Sequence, residues 1–170
     1  MNKKLFSLIC AVSCSFIWGT AFVAQDMGMD YIGPYTFAAS RLILGFLALL
    51  PFFFIFEYKK VKRDRSSFKI LATYWFLIGF TLAAGNALQQ ISLLYTDVAN
   101  SAVFTVLYVV IVPVLSYFFF SKKIHRSVWP SVILCLVGGL FLSELNNIRV
   151  RFGDSLVVAG AFFWALHIIY

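Results

Sequence analysis

Residues 85–120 read GNALQQISLLYTDVANSAVFTVLYVVIVPVLSYFFF, and the fold follows from how this stretch is read. Two apolar runs flank a three-residue polar step, Tyr95-Thr96-Asp97. Amides (Asn86, Gln89, Gln90, Asn100), hydroxyls (Ser101, Thr105, Tyr108) and a mid-segment Pro113 are set into the runs. A water-soluble core needs no apolar runs of this length, whereas a bilayer needs about 20 residues per helical span. Polar groups inside such spans are costly, so this hairpin is where the selectivity of a membrane protein is expected.

Composition agrees. Hydrophobic residues make up 62% of the 170-residue chain and charged residues 12%, with a mean hydropathy of +0.90. Soluble domains sit near half apolar and a quarter charged. The net charge of +7 does not point to nucleic acid, because the lysines and arginines fall almost entirely between apolar runs. Cys10, Cys14 and Cys135 lie inside those runs and form neither a disulfide framework nor a CxxC motif. No metal site and no cofactor are expected.

The fold class expected is therefore an all-α membrane protein, a polytopic helical bundle with spans at about 5–24, 34–56, 70–95, 98–120 and 128–143, and a sixth beginning at 155. A signal peptide is the rival reading of the first run, but the apolar sequence continues through Phe16, Ile17, Trp18, Phe22 and Val23, where a cleaved segment gives way to polar residues. A short acidic loop is expected over 26–33, with Pro34 opening the second helix. Eleven of the fourteen Lys and Arg residues fall at the amino terminus and in the 57–69 and 121–127 loops. By the positive-inside rule these are cytoplasmic, so the expected location is the cytoplasmic membrane of a prokaryote with the amino terminus inside.

Several polar positions have two readings. Arg41, about two turns inside its span at 1.5 Å per residue, either snorkels to the headgroups or meets an anionic group. Asn86, Gln89 and Gln90 share one face of the third helix, and Ser101, Thr105 and Tyr108 one face of the fourth. They either bond to each other across an antiparallel pair, at about 0.6 kcal/mol each, or line a water-filled cavity. Six groups at similar depth exceed what such bonding requires, which favours the cavity. Pro113 clashes with the carbonyl of Val109, giving a gating hinge or a static bend. His167 is either a proton relay or a bystander. Small-residue faces for helix packing are expected at Ala11, Ser15 and Gly19, at Gly79 with Ala83 and Ala87, and at Gly138-Gly139.

Aligning Trp18 with Trp164 puts Phe16 on Phe162 and Gly19 on Ala165, and the small-residue stripe of the first helix recurs as Ala161 and Ala165. Five spans separate the copies, so the second enters from the opposite side, as in inverted-repeat transporters. Trp18 and Trp164 either line a pathway as an inverted pair or serve as lipid-facing bulk.

These residues resemble the EamA-type branch of the drug/metabolite transporter (DMT) superfamily. The resemblance runs through Phe16-Ile-Trp18-Gly19-Thr20, Pro34-Tyr-Thr-Phe-Ala-Ala-Ser-Arg41-Leu, Leu93-Leu-Tyr95-Thr96-Asp-Val-Ala99-Asn100, Leu107-Tyr-Val-Val-Ile-Val-Pro113, Val137-Gly138-Gly139 and Gly153-Asp154. It implies ten helices in two inverted halves that move small metabolites, amino-acid-like or drug-like, by alternating access. On this reading residues 1–146 are the first five-helix repeat and 153–170 the start of the second. The chain is then a fragment or a truncated product, and needs a second half or a homo-oligomer to work. The alternative is a non-transporting membrane subunit or assembly partner. The expected contacts are the lipid bilayer and a small-molecule substrate, not nucleic acid. An enzyme is not expected, since HExxH, GxSxG and phosphate-loop patterns are absent from the sequence.

The charge alternation makes a direct prediction. A cysteine at position 66 should react only from the cytoplasmic side and one at position 30 with an impermeant reagent outside; the reverse pattern of labelling would invert the topology.

Overall fold

The computed structural model describes residues 2–58, 68–119, 121, 123–142 and 151–170. Most of the basic 57–69 loop, with the labelling position 66, and the polar segment 143–150 lie outside the described residues, as do Phe120 and Lys122. Helix α1 (Lys3–Met29) starts at Asn2, whose side chain accepts from the Lys4 backbone N–H. It is followed by α2 (Pro34–Phe52), α3 (Phe68–Ser92), α4 (Val98–Thr105), α5 (Tyr108–Phe118), α6 (Val128–Leu142) and α7 (Phe152–Ile169). Among the described residues there is no strand. Five helical stretches are long and apolar enough to cross a membrane: Lys3–Met29, Pro34–Glu57, Ile70–Ser92, Val98–Phe118 and Phe152–Ile169. The protein is an all-α polytopic membrane protein.

The structure departs from the sequence reading in three places. First, α1 runs on through 26–29, where an acidic loop was expected. Only Gly28 disfavours helix there, at about 1 kcal/mol. The break comes instead over Asp30–Gly33, where Gly33 is held extended (φ −61°, ψ 155°) by the proline that follows. Second, Pro51 lies within α2, and the helix beyond it widens into a π-helical turn at Phe53–Glu57. Proline cannot donate to the carbonyl four residues back, and loss of that bond favours such local rewinding.

Third, the expected fourth span is two helices. The interruption lies at Val106–Leu107, where Val109 N–H bonds to Val106 O (2.9 Å) and Val110 N–H to Leu107 O (2.9 Å). This tightened turn precedes Pro113 by six residues or more, so Pro113 itself sits inside a continuous α5. Helix α6 is described over Val128–Leu142, the run expected as the fifth span.

Packing is centred on α7, which lies most extensively against α3 and also meets α4 and α5. Val157, Ala161 and Ala165 on α7 are all but fully buried. Apolar helices gain nothing from leaving lipid for one another, so association depends on close approach through small residues. Gly85 and Gly160 provide it: a Cβ at 160 would stand 3.3 Å from the Gly85 carbonyl oxygen, and one at 85 would stand 3.2 Å from the Trp164 ring. The α3 glycine used for packing is thus Gly85 and not Gly79, which faces open space, and Ala83 is exposed. Gly139 approaches Val103 on α4. In contrast, α1 buries only Phe22 and Gln25 and α2 only Ala38. The Ala11, Ser15 and Gly19 stripe is exposed.

Gly153 makes the tightest contact of the seam, since a Cβ there would meet Ser92 O, Thr96 N and Thr96 Cβ at 2.8 Å each. Backbone atoms cannot step aside as a side chain can, so Gly153→Ala should lower stability by about 1–3 kcal/mol. Gly79→Ala should be neutral or stabilising by up to about 1 kcal/mol. Thermal unfolding in detergent micelles compares the two; equal midpoints would refute the close approach at 153.

Candidate functional site

The polar face of α3 turns toward α4 and α7. Asn86, Gln89, Gln90 and Ser92 are all buried, the last three nearly completely. Gln89 Nε2 donates to Thr105 Oγ1 across the hairpin at 2.9 Å, and Thr105 Oγ1 donates in turn to Ser101 O at 2.7 Å. Ser92 Oγ donates to Gln89 O (2.6 Å) and lies 3.3 Å from Ser101 Oγ. Gln89, Ser101 and Thr105 are therefore engaged with one another instead of facing an open cavity. A turn of only a few residues places α3 and α4 antiparallel, and matching donors and acceptors at equal depth satisfy each other. Ser92, one turn from Gln89, completes this row. The i, i+3 spacing offered it as a candidate, but a lone hydroxyl gave it no prominence.

Arg41 and Asn86 form a second group. Arg41 Nη2 donates to Asn86 Oδ1, tying α2 to α3, while Asn86 Nδ2 donates to Leu82 O at 3.0 Å. Among the described residues no carboxylate pairs with Arg41. Its guanidinium has five N–H donors, and Asn86 occupies one of them.

The third group is aromatic. Trp18 stacks on Tyr108 (centroids 6.0 Å, planes at 21°) and meets Trp164 at 5.9 Å. Trp164 in turn stands edge-on to His167, whose Nδ1 lies 3.0 Å from Ile78 O. The two tryptophans aligned in the sequence thus touch across α1 and α7, with Tyr108 of α5 completing the group. Among the described residues, Trp164 Nε1, both amide atoms of Gln90 and Gln25 Oε1 are buried without a hydrogen-bond partner. Such groups are rare in folded proteins because each carries a desolvation cost of about 1–3 kcal/mol. Gln25, at the far end of α1, was not singled out in the sequence. Pro113 is buried in α5.

Two hollows flank these groups. An apolar one of about 420 Å³ lies beside the α4–α5 break, against Cys135 and Gly138 of α6. A polar one of about 460 Å³ lies at the α3–α4 turn, lined by Asp26, Tyr95, Thr96, Asp97 and Arg151. Thr96, Asp97 and Arg151 of its lining, and Asp154 bonded to Thr96, were not singled out as functional from sequence. Among the described residues no group of three or more His, Cys, Asp or Glu side chains is placed to hold a metal ion.

The family model described as "EamA-like transporter family" matches residues 5–144. An uncharacterized transporter of Archaeoglobus fulgidus is 26% identical over 166 residues, which cover 98% of this chain and 49% of that protein. The uncharacterized transporters YoaV and YwfM of Bacillus subtilis are 25% and 28% identical, over 91% and 95% of this chain and 53% of each relative. The chain spans about half the length of the curated relatives it matches. No solved structure matches it significantly.

The Gln89–Thr105 bond is testable by a double-mutant cycle. Gln89→Leu and Thr105→Val should show a coupling of about 0.6 kcal/mol and no more than about 2 kcal/mol, read from reversible unfolding in mixed micelles. Strict additivity would mean that the two side chains do not bond.

Proposed function

Because the chain belongs to the EamA-like transporter family, we propose that it contributes to the transmembrane movement of small metabolites, amino-acid-like or drug-like, by alternating access. On this proposal residues 1–146 are one five-helix repeat and 153–170 open a second, inverted repeat of a ten-helix transporter. The setting is the cytoplasmic membrane of a prokaryote, with the amino terminus inside. The uncharacterized transporters it resembles support the class of activity and carry no information on the solute.

The observation that carries the proposal is Arg41. A guanidinium inside a membrane span, bound to a neutral amide and free of any carboxylate among the described residues, has charge and donors left for an anionic group of a solute. Trp18, Tyr108 and Trp164 then form an aromatic wall, and Gln90 and the Trp164 indole have unused hydrogen-bonding capacity for polar atoms of the solute. Gln89, Ser101 and Thr105 belong to the same face and meet solute only in a state where α3 and α4 part. In this scheme Pro113, inside α5 and six residues beyond the α4–α5 break, assists bending.

The exposed faces of α1 and α2 favour a second reading. Both helices leave nearly all their side chains uncovered within the chain, so a second half or another copy is proposed to cover part of them. In the alternative, the chain is a non-transporting subunit that uses these faces for assembly.

Arg41→Gln should reduce uptake of an anionic solute into proteoliposomes by about tenfold, corresponding to about 1.4 kcal/mol of lost charge-assisted bonding, without changing the amount inserted. Arg41→Lys should recover part of the loss, since it retains the charge without the fork. Unchanged uptake by the Gln variant would leave Arg41 a snorkelling residue. No uptake by any form, with a stable oligomer in detergent, would favour the assembly role.

A further inference from the structure

We infer that the end of the α3–α7 seam at the Tyr95-Thr96-Asp97 turn is an outer latch, which must part before the polar row between α3 and α4 can meet the outside. This rests on the transport reading and on the orientation in which that turn is external. Three contacts meet there. Thr96 Oγ1 donates to Asp154 Oδ1, Arg151 Nη1 pairs with Asp97 Oδ2 at 2.6 Å, and the Tyr95 and Phe152 rings stand edge to face at 5.4 Å. Beneath them Gly153 lies against the backbone of Ser92 and Thr96.

The chemistry of these contacts suits reversible opening. Asp154 is only 3% exposed, and both its oxygens are occupied. Oδ2 accepts from the Arg151 backbone N–H at 2.8 Å, a capping bond within its own helix terminus that persists whether or not α7 moves. Oδ1 accepts from Thr96 on the opposite side of the seam, a bond present only while the seam is closed. Parting the seam therefore exchanges one protein hydrogen bond for one to water and strands no charge. The Arg151–Asp97 pair is half to two-thirds exposed, so it guides closure more than it holds it.

A polar hollow adjoins this point, lined by Asp26, Thr96, Asp97 and Arg151. Immediately inward the seam is dry: Ser92 and Ser101 are fully buried and Thr105 nearly so. The latch thus separates an outer hollow from the buried polar row, and it joins the start of α7 to the α3–α4 turn, at the place where a transporter must alternate between closed and open.

The test is accessibility of a reporter cysteine at Thr105→Cys, with Cys10, Cys14 and Cys135 replaced by alanine. An impermeant maleimide is applied outside intact cells, and modification of position 105 is read by mass spectrometry. The closed seam should make labelling slow. Asp154→Ala should accelerate it by about tenfold or more, and Asp97→Ala by about two- to fivefold. The charge exchange Asp97→Arg with Arg151→Asp should return the rate to within about twofold of the native latch.

A second arm guards against misfolded variants. Thr96→Cys with Asp154→Cys, oxidised to a cross-link, should label at position 105 at least about tenfold more slowly than the same sample after reduction. Equal rates in the oxidised and reduced forms, or labelling only from the cytoplasmic side, would overturn the latch. Solute uptake is measured separately: an operating latch with no uptake counts against transport, and uptake with labelling indifferent to the latch counts against the latch alone.

Discussion

Two glycines facing each other, Gly85 on α3 and Gly160 on α7, set the distance on which the rest of the bundle depends. In a bilayer the apolar surface of a helix is as well solvated by lipid as by another helix, so association relies on van der Waals contact and interhelical hydrogen bonds. Without a Cβ at either position, the backbone of one helix reaches the other. Ala161 and Ala165 continue the contact. Once α7 is seated, α4 and α5 pack on its other sides, and the sixth apolar run of the sequence becomes the centre of the structure.

That seating decides the fate of the polar groups. Asn86, Gln89, Gln90 and Ser92 lie on the α3 face that is covered, and lipid offers them no hydrogen bonds. Some are satisfied locally, as in the Gln89–Thr105–Ser101 chain. Others are not: Gln90 and the Trp164 indole are buried without partners among the described residues. The satisfied bonds bind α3 to α4, whereas the unsatisfied groups mark a stored cost that a bound solute or a different conformation relieves. Both kinds lie on one helix face within two turns, so the structural and the functional uses of the hairpin are not separable by position alone.

The periphery has a different logic. α1 and α2 expose long apolar surfaces, including Phe16, Ile17, Leu44, Phe46 and Phe52, that would aggregate in water and are at home in lipid. Among the described residues, Trp18 is the residue of α1 that reaches the aromatic group at α7, and Arg41 the residue of α2 that bonds to the polar face of α3. Each outer helix therefore brings one functional side chain to the centre while leaving most of its surface to surroundings outside the chain.

The helical, apolar character of the membrane segments was legible in residue order, because a bilayer imposes length and hydropathy on every span regardless of what the span touches. So were the hairpin at Tyr95-Thr96-Asp97 and the common buried face of Asn86, Gln89 and Gln90, which follows from helical periodicity; the face expected for Ser101, Thr105 and Tyr108 was not, because the Val106–Leu107 break carries Tyr108 onto α5 against Trp18. Which faces meet was not. The spacing favoured Gly79 with Ala83 and Ala87 as the packing face of α3, and only the approach of α7 selected Gly85. The ends of α1 and the break at Val106–Leu107 likewise depended on local bonding that apolar sequence does not announce. The pairing of Thr96 with Asp154 and of Asp97 with Arg151 joins residues more than fifty positions apart. Sequence supplied the chemistry of these side chains, but their partnership arises only when the packing of α7 on α3 brings the two chain segments together.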